Sequence, residues 1–215
     1  MLMNAFMRTI YWKFYLPRKS WLKQNFPASD LAYVRLHKLK GIEIGAGAQV
    51  DFKLNTLNID QCDNTDKNNI YRKEQLRCAG RVLKVDVVAR GDDLPFEDNQ
   101  WDFVINSHVL EHFYDPIKAL KEWTRVVKPD GYIFMTIPHK MRTFDKDRER
   151  TALKELIDRH EWTLQNPNVE KEDAHHSVWI TEDVLELCKY LNLNVIESHD
   201  VDDVIGNGFT IICRV

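Results

Sequence analysis

At residues 41–48 an apolar strand, Gly41-Ile42-Glu43-Ile44, runs straight into a glycine-rich turn, Gly45-Ala46-Gly47-Ala48, and few folds accommodate that junction. Glycine is needed where a side chain would block a ligand's approach to the backbone or where the turn demands a positive φ. From Lys40 onward short apolar runs alternate with helical segments, the pattern of an α/β fold with a mainly parallel sheet and helices on both faces. Strands are expected near Gly41–Ile44, Thr56–Asp60, Val82–Val88, Asp102–Asn106, Tyr132–Ile137, Asn194–Glu197 and Phe209–Arg214. One helix is well marked: Asp115 is a good N-cap and Pro116 suits the first helical position, while Ile117, Leu120 and Val127 share a face before Pro129-Asp130-Gly131 stops it. Another begins at Thr181, with Glu182 and Asp183 in its first turn and an apolar stripe of Val184, Leu185, Leu187, Cys188 and Leu191. A chain of 215 residues suits one domain with an appended cap. The expected division is a helical, basic and aromatic segment over 1–39 and a domain over 40–215 with a cap insert at about 140–178.

The ligand follows from the surroundings of the turn. A dinucleotide fingerprint would place a third glycine at position 50, where Val50 stands, so a pyrophosphate would lack its helix-packing residue. Glu43 repels phosphate but suits a ligand bearing a sulfonium and an ammonium group, as S-adenosylmethionine does. Asp60 ends the second strand, positioned to accept hydrogen bonds from two ribose hydroxyls; the plainer alternative is a solvated loop acid beside Asp63 and Asp66. Asp92-Asp93-Leu94-Pro95-Phe96 follows the third strand and offers carboxylates beside an apolar slot for a purine. Ser107-His108 lies at the carboxyl end of another strand, where open α/β sheets bind their ligands.

The series GIEIGAGA, then DDLPFEDNQWDFVINSHVLEH, then RVVKPDGYIFMTIPH resembles the class I S-adenosylmethionine-dependent methyltransferases, in the branch that carries an LPF and a VLEH segment. The likeness covers residues 41–139. Thr143-Phe144-Asp145-Lys146-Asp147-Arg148 and His175-His176-Ser177-Val178-Trp179 are similar to a bacterial subgroup often met beside glycan-assembly enzymes. The resemblance implies a Rossmann-like, seven-stranded, mainly parallel sheet whose last strand is antiparallel, with 201–208 as the final hairpin connection. It also implies that Glu43, Gly45, Ala46 and Gly47 hold the methionine end of the donor and Asp60 the ribose, with Ser107 and His108 near them. Two departures stand out. The stretch from Gly47 to Asp60 is too short for a full helix plus strand, and Arg90 occupies the place where the family commonly has its adenine-contacting acid, so that role passes to Asp92.

Methyl transfer from a sulfonium is an in-line displacement, so the protein must mainly hold donor and acceptor in attack geometry. A base is needed only if the acceptor enters protonated, and His139 and His176 are the candidates; structural support is an equally good reading for any single histidine. His175-His176 invites a metal reading, but adjacent residues rarely complete a site and no third ligand can be named, so no metal is expected. The segment Lys140–Ser177 is long and charged enough to cap an acceptor pocket. Arg142, Asp145, Arg148 and Arg150 could grip an anionic or hydroxyl-rich acceptor, or DKDRER could be a helix face whose charges pair with one another. Arg148, His175 and Trp179 are the candidate contacts to a small-molecule or glycan-like acceptor.

A net charge of −3 gives no reason to expect nucleic acid as partner. The first 26 residues differ: Arg8, Lys13, Arg18, Lys19 and Lys23 stand among aromatics, and Met3, Phe6, Met7, Ile10 and Phe14 follow helical spacing. Such a helix packs on the domain or touches a membrane surface or partner; it is neither a transmembrane span nor a signal-peptide core. Four scattered cysteines without a CxxC pair suit reduced thiols and a cytoplasmic location. A nicotinamide-dependent oxidoreductase is disfavoured by Val50 and Glu43, while a catalytically silent donor-binding regulator would share the same motifs.

Overall fold

The computed structural model describes residues 29–45, 52–63, 72–73, 76, 82–167 and 174–215. The basic helix expected within 1–26 and its surface contact, the turn residues Ala46 and Gly47, and Cys78 lie outside the described residues. One sheet of seven strands organises the rest, in the order β3-β2-β1-β4-β5-β7-β6. The strands are β1 (Gly41–Ile44), β2 (Thr56–Asp60), β3 (Val87–Val88), β4 (Trp101–Ser107), β5 (Val127–Pro138), β6 (Asn194–His199) and β7 (Gly208–Arg214). β7 runs antiparallel to β5 and β6, and the other neighbours pair in parallel, as the resemblance implied. The order turns about β1 and β4, so the carboxyl ends of these two strands flank the crevice where an open sheet binds its ligand.

Register decides which residues share a face. Gly41 aligns with Phe103 and Glu43 with Ile105, which places Glu43 on the side where Phe103, Ile105, Phe134 and Ile212 pack with Phe52 and with Ala32 and Leu36 of α1 (Asp30–Leu36). Ile42, Ile44, Val104, Ile133 and Met135 occupy the opposite face, with Trp123 of α2 (Pro116–Val126) and Val184 and Leu187 of α4 (Thr181–Tyr190). The indole N–H of Trp123 donates to the Gly91 carbonyl at 2.8 Å, so this large side chain enters the core with its polar atom paired. Asp115 caps α2 by accepting the Lys118 N–H at 2.9 Å, and Val127, expected on that helix, is the first residue of β5. In α4, Asp183 reaches back to the Ile180 N–H at 2.9 Å, the acidic first-turn signal seen in the sequence.

Three elements differ from expectation. Of the strand proposed at Val82–Val88, only Val87–Val88 pairs; it is the edge strand, and the Asn58 amide takes the Lys84 carbonyl at 3.0 Å in place of a ladder bond. The insert after β5 contains a helix, α3 (Leu153–Gln165), while DKDRER is not a helix face: Phe144–Asp147 is a single 3-10 turn, and Arg150 leaves the run to pair with Asp183 of α4. Within the 1–39 segment, α1 is capped by Ser29, whose hydroxyl accepts the Ala32 N–H and donates to Asp203 in the hairpin before β7, each at 2.9 Å. No helix among the described residues is long and apolar enough to cross a membrane.

Candidate active site

Gly45 follows β1 with φ of +67°, its N–H donating to the Ile59 carbonyl at 2.9 Å. A Cβ there would stand 2.5 Å from the Val109 side chain, so both backbone angle and space require glycine. Glu43, one turn of the pleat earlier, is buried, and burial pushes its pKa up to about 8. A carboxylate in that position is uncharged near neutrality unless a cation approaches, which fits a donor carrying positive charge. Asp60 is half-buried at the tip of β2, accepting the Cys62 N–H at 3.3 Å.

On β4 the backbone reverses sharply after Ser107: His108 is left-handed, with φ of 56°, and its N–H bonds the Thr136 carbonyl at 2.8 Å. Ser107 lies level with Thr136 of β5, and Thr136 level with Thr210 of β7. The buried hydroxyls of all three, and the amide of buried Asn106, have no hydrogen-bond partner among the described residues. A row of unsatisfied polar atoms along the carboxyl edge is what a polar ligand, or water standing in for it, would complete. The sequence carried this signal only as single polar residues inside the apolar runs FVINS and MTIP. Together with the glycine cradle, these atoms fit a donor with a polar amino-acid end.

Asp92 departs from the part assigned to it. Arg90 grips its two oxygens at 2.9 and 3.0 Å, and Lys118 of α2 adds a contact at 3.2 Å. Burial works against the ionised form, yet these two cations hold the Asp92 carboxyl below the usual carboxylate range. Both oxygens are committed within the protein, so Asp92 fastens its loop to α2, and the anomalous Arg90 is explained as its partner.

The acceptor side is a cluster of imidazoles and carboxylates. The 3-10 turn Leu110–His112, directly after β4, supplies Glu111 and His112; the segment leading to α4 supplies His175 and His176. Backbone bonds join the two, since the N–H groups of His176 and Ser177 donate to the Glu111 carbonyl at 2.8 and 3.2 Å. His175 Nδ1 meets the Asp145 carboxylate at 2.7 Å, and Arg148 bridges Asp145 at 2.6 Å and the His175 carbonyl at 2.8 Å. The rings of His112 and His175 meet edge to face at 4.7 Å, and His176 packs against Tyr114 at 5.6 Å. Burial drives the His112 pKa down to about 3, aided by the charges of His175, His108 and His176, and drives Glu111 up to about 7. Arg148 and His175 are therefore brought together, with Arg148 bracing the histidine. No third ligand to the histidine pair was legible in the sequence; the fold brings Glu111 and His112 to it, and with His175 they form a group whose ligand atoms all lie within 4.8 Å of one another.

Two expected residues sit elsewhere. Trp179 is 1% exposed and belongs to the main hydrophobic core, its backbone carbonyl accepting the Lys140 N–H at 2.8 Å; it offers no surface to an acceptor. His139, at the end of β5, accepts the Met141 N–H on Nδ1 at 3.1 Å. A neutral imidazole has one lone pair, and this one is spent capping the next 3-10 turn, with Nε2 aimed towards Asp200 at 3.9 Å. His139 is thus placed as a structural cap rather than as a base.

Residues 42–135 match the family model described as a methyltransferase domain. An uncharacterized protein of Methanocaldococcus jannaschii is 31% identical over 121 residues, covering 54% of this chain and 55% of that protein. The chain thus spans about half the length, or less, of the curated relatives it matches. Among solved structures, a possible histamine N-methyltransferase from Thermotoga maritima superposes with a TM-score of 0.53 at 19% identity, covering 96% of this chain and 98% of that one. The 1,6-didemethyltoxoflavin-N1-methyltransferase of Burkholderia thailandensis, solved with 1,6-didemethyltoxoflavin and S-adenosylhomocysteine, gives 0.55 at 14% identity, covering 98% and 87%. At such identities the two structures bear on the fold alone.

Proposed function

The chain carries a class I S-adenosylmethionine-dependent methyltransferase domain, and from that premise we propose that it transfers a methyl group from S-adenosylmethionine to a small-molecule or glycan-like acceptor. The observation that carries the proposal is the conjunction at the β1 tip: a glycine held at positive φ against Val109, with a buried carboxyl behind it and unsatisfied polar atoms of Asn106, Ser107 and Thr136 along the same edge. The donor's amino-acid end would lie over Gly45, Ala46 and Gly47 with Glu43 compensating its charge, its ribose against Asp60, and Ser107 and His108 closing the site. The donor supplies an electrophilic methyl on a sulfonium; this chain's task is to orient it and to exclude water.

On the acceptor side, His176, set against Tyr114 beside the Glu111 turn, is the residue we assign to take up an acceptor proton. The small-molecule class is supported by the toxoflavin precursor bound to the Burkholderia enzyme and by the half-buried, polar character of the histidine cluster. The glycan-like class rests on the resemblance of the TFDKDR and HHSVW segments. The test is transfer of a labelled methyl group to a panel of hydroxyl, amine and sugar acceptors. Saturable donor binding with transfer to a sugar or small hydroxyl compound supports the reading, and donor binding with no transfer to any acceptor marks a catalytically silent binder.

A further inference from the structure

We propose that Glu111, His112 and His175 form a binding site for a divalent first-row transition metal, zinc-like in its ligand set, with an open position for an acceptor oxygen. Glu111 Oε1 stands 3.8 Å from His112 Nε2 and 3.8 Å from His175 Nε2. That separation is too long for a hydrogen bond. A metal bonding nitrogen and oxygen at about 2.0–2.2 Å spans it with only a few tenths of an ångström of closure, since the ideal tetrahedral ligand separation is about 3.4 Å. Glu111 is 0% exposed, and neither of its oxygens has a hydrogen-bond partner among the described residues. A buried carboxylate without a partner is costly, and a bound cation removes that cost.

The surroundings are those of a built site. Asp145 accepts from His175 Nδ1 at 2.7 Å, which fixes the ring's orientation and leaves the Nε2 lone pair facing Glu111. Arg148 holds Asp145 at 2.6 Å, and the two N–H bonds to the Glu111 carbonyl lock the two ligand-bearing segments together. Two imidazoles and one carboxylate leave a fourth position open, the pattern of catalytic rather than structural zinc. The side chain of His112 is 37% exposed, so the cluster opens to solvent on one face. The occupant of that open position, a hydroxyl or carboxylate oxygen of the acceptor, rests on the methyl-transfer reading; the metal site does not.

The test uses the full chain, stripped with a chelator and dialysed, then titrated calorimetrically with zinc chloride, and separately with cobalt chloride while visible absorption is followed. One zinc per chain with micromolar or tighter affinity, and cobalt bands of a four- or five-coordinate N/O site, are expected. His175→Ala and the isosteric Glu111→Gln should each weaken zinc at least 100-fold, and Asp145→Asn by roughly 10- to 100-fold, the range for a residue that orients a ligand. Affinity for S-adenosylmethionine, measured on the same samples, should stay within about threefold and reports that the variants fold. Failure of wild type to bind zinc or cobalt stoichiometrically, or unchanged zinc binding in folded Glu111→Gln, overturns the metal site. Zinc binding without donor binding instead overturns the methyltransferase reading and leaves the site standing.

Discussion

Replacing Glu43 by Gln should make the protein more stable at mildly alkaline pH while leaving it nearly unchanged in mild acid. In the native state burial lifts the Glu43 pKa from 4.5 to about 8, so the folded protein holds a proton that the unfolded chain has already released through this whole interval. Because the native state binds more protons than the unfolded one, stability falls as pH rises, by at most about 1.4 kcal/mol per pH unit. From about pH 5.5 to about pH 7.5 the loss assignable to Glu43 is roughly 2–3 kcal/mol. Gln fills the same space on the α1 face of the sheet and does not titrate, so the variant escapes this loss. Glu111, also pushed up, to about 7, titrates in both proteins and cancels from their difference. Urea unfolding followed by circular dichroism at the two pH values, extrapolated linearly, measures that difference. Parallel pH dependence in wild type and variant would refute the reasoning by showing Glu43 to be ionised in the folded protein. The same proton gives a second readout: a cationic ligand beside Glu43 draws its pKa down, so donor binding near neutral pH releases a proton from wild type and none from Glu43→Gln.

Gly45→Ala should lower donor affinity at least about tenfold, ~1.4 kcal/mol, because the new Cβ meets Val109 at 2.5 Å with φ at +67°. Adding Val109→Ala should restore part of that loss and no more, since the backbone strain persists; calorimetric affinities matching wild type in the single variant would contradict this account. Trp179→Ala should cost about 3–5 kcal/mol of stability as a fully buried core truncation, whereas a residue lining an acceptor pocket would lower transfer at nearly constant stability. Asp202→Ala should cost about 2–4 kcal/mol, because its carboxylate accepts the N–H groups of Val204, Ile205, Gly206 and Gly208 in the hairpin before β7; an unfolding midpoint equal to wild type would show that those bonds are not what holds the loop.

The sheet was legible wherever the local signal and the tertiary requirement coincide. β1 and β2 are buried or half-buried runs bounded by turn residues, and they end where the residue pattern ends them. The start of α2 was equally plain, because Asp115 and Pro116 act within one turn. α3 was missed because Ala152 gives it no side-chain cap and Leu156 is its one fully buried residue, so its apolar face is too narrow to declare itself. The edge strand was overdrawn because β-propensity at Val82–Val88 does not reveal that the ladder stops where side chains of Asn58 and Lys84 take over. In the site, donor residues stand next to their motif and could be named from it. The histidine cluster could not, since Glu111 and His175 are distant in sequence and meet only when the segment before α4 folds back on the turn after β4. Trp179 and Asp92 show the converse: residue types suited to ligand contact were drawn inward by the core and by Arg90.

The central claim, that the β1–β2 edge holds S-adenosylmethionine, is tested most directly by calorimetric titration of the full chain and its Asp60→Ala variant with S-adenosylmethionine, and of wild type with NAD. The account predicts saturable one-to-one donor binding, no saturable NAD binding, and a loss of about 1–3 kcal/mol of donor affinity in the folded variant, whose ribose contact lacks its charged acceptor. Donor affinity unchanged by Asp60→Ala, or NAD bound in preference to S-adenosylmethionine, would contradict it.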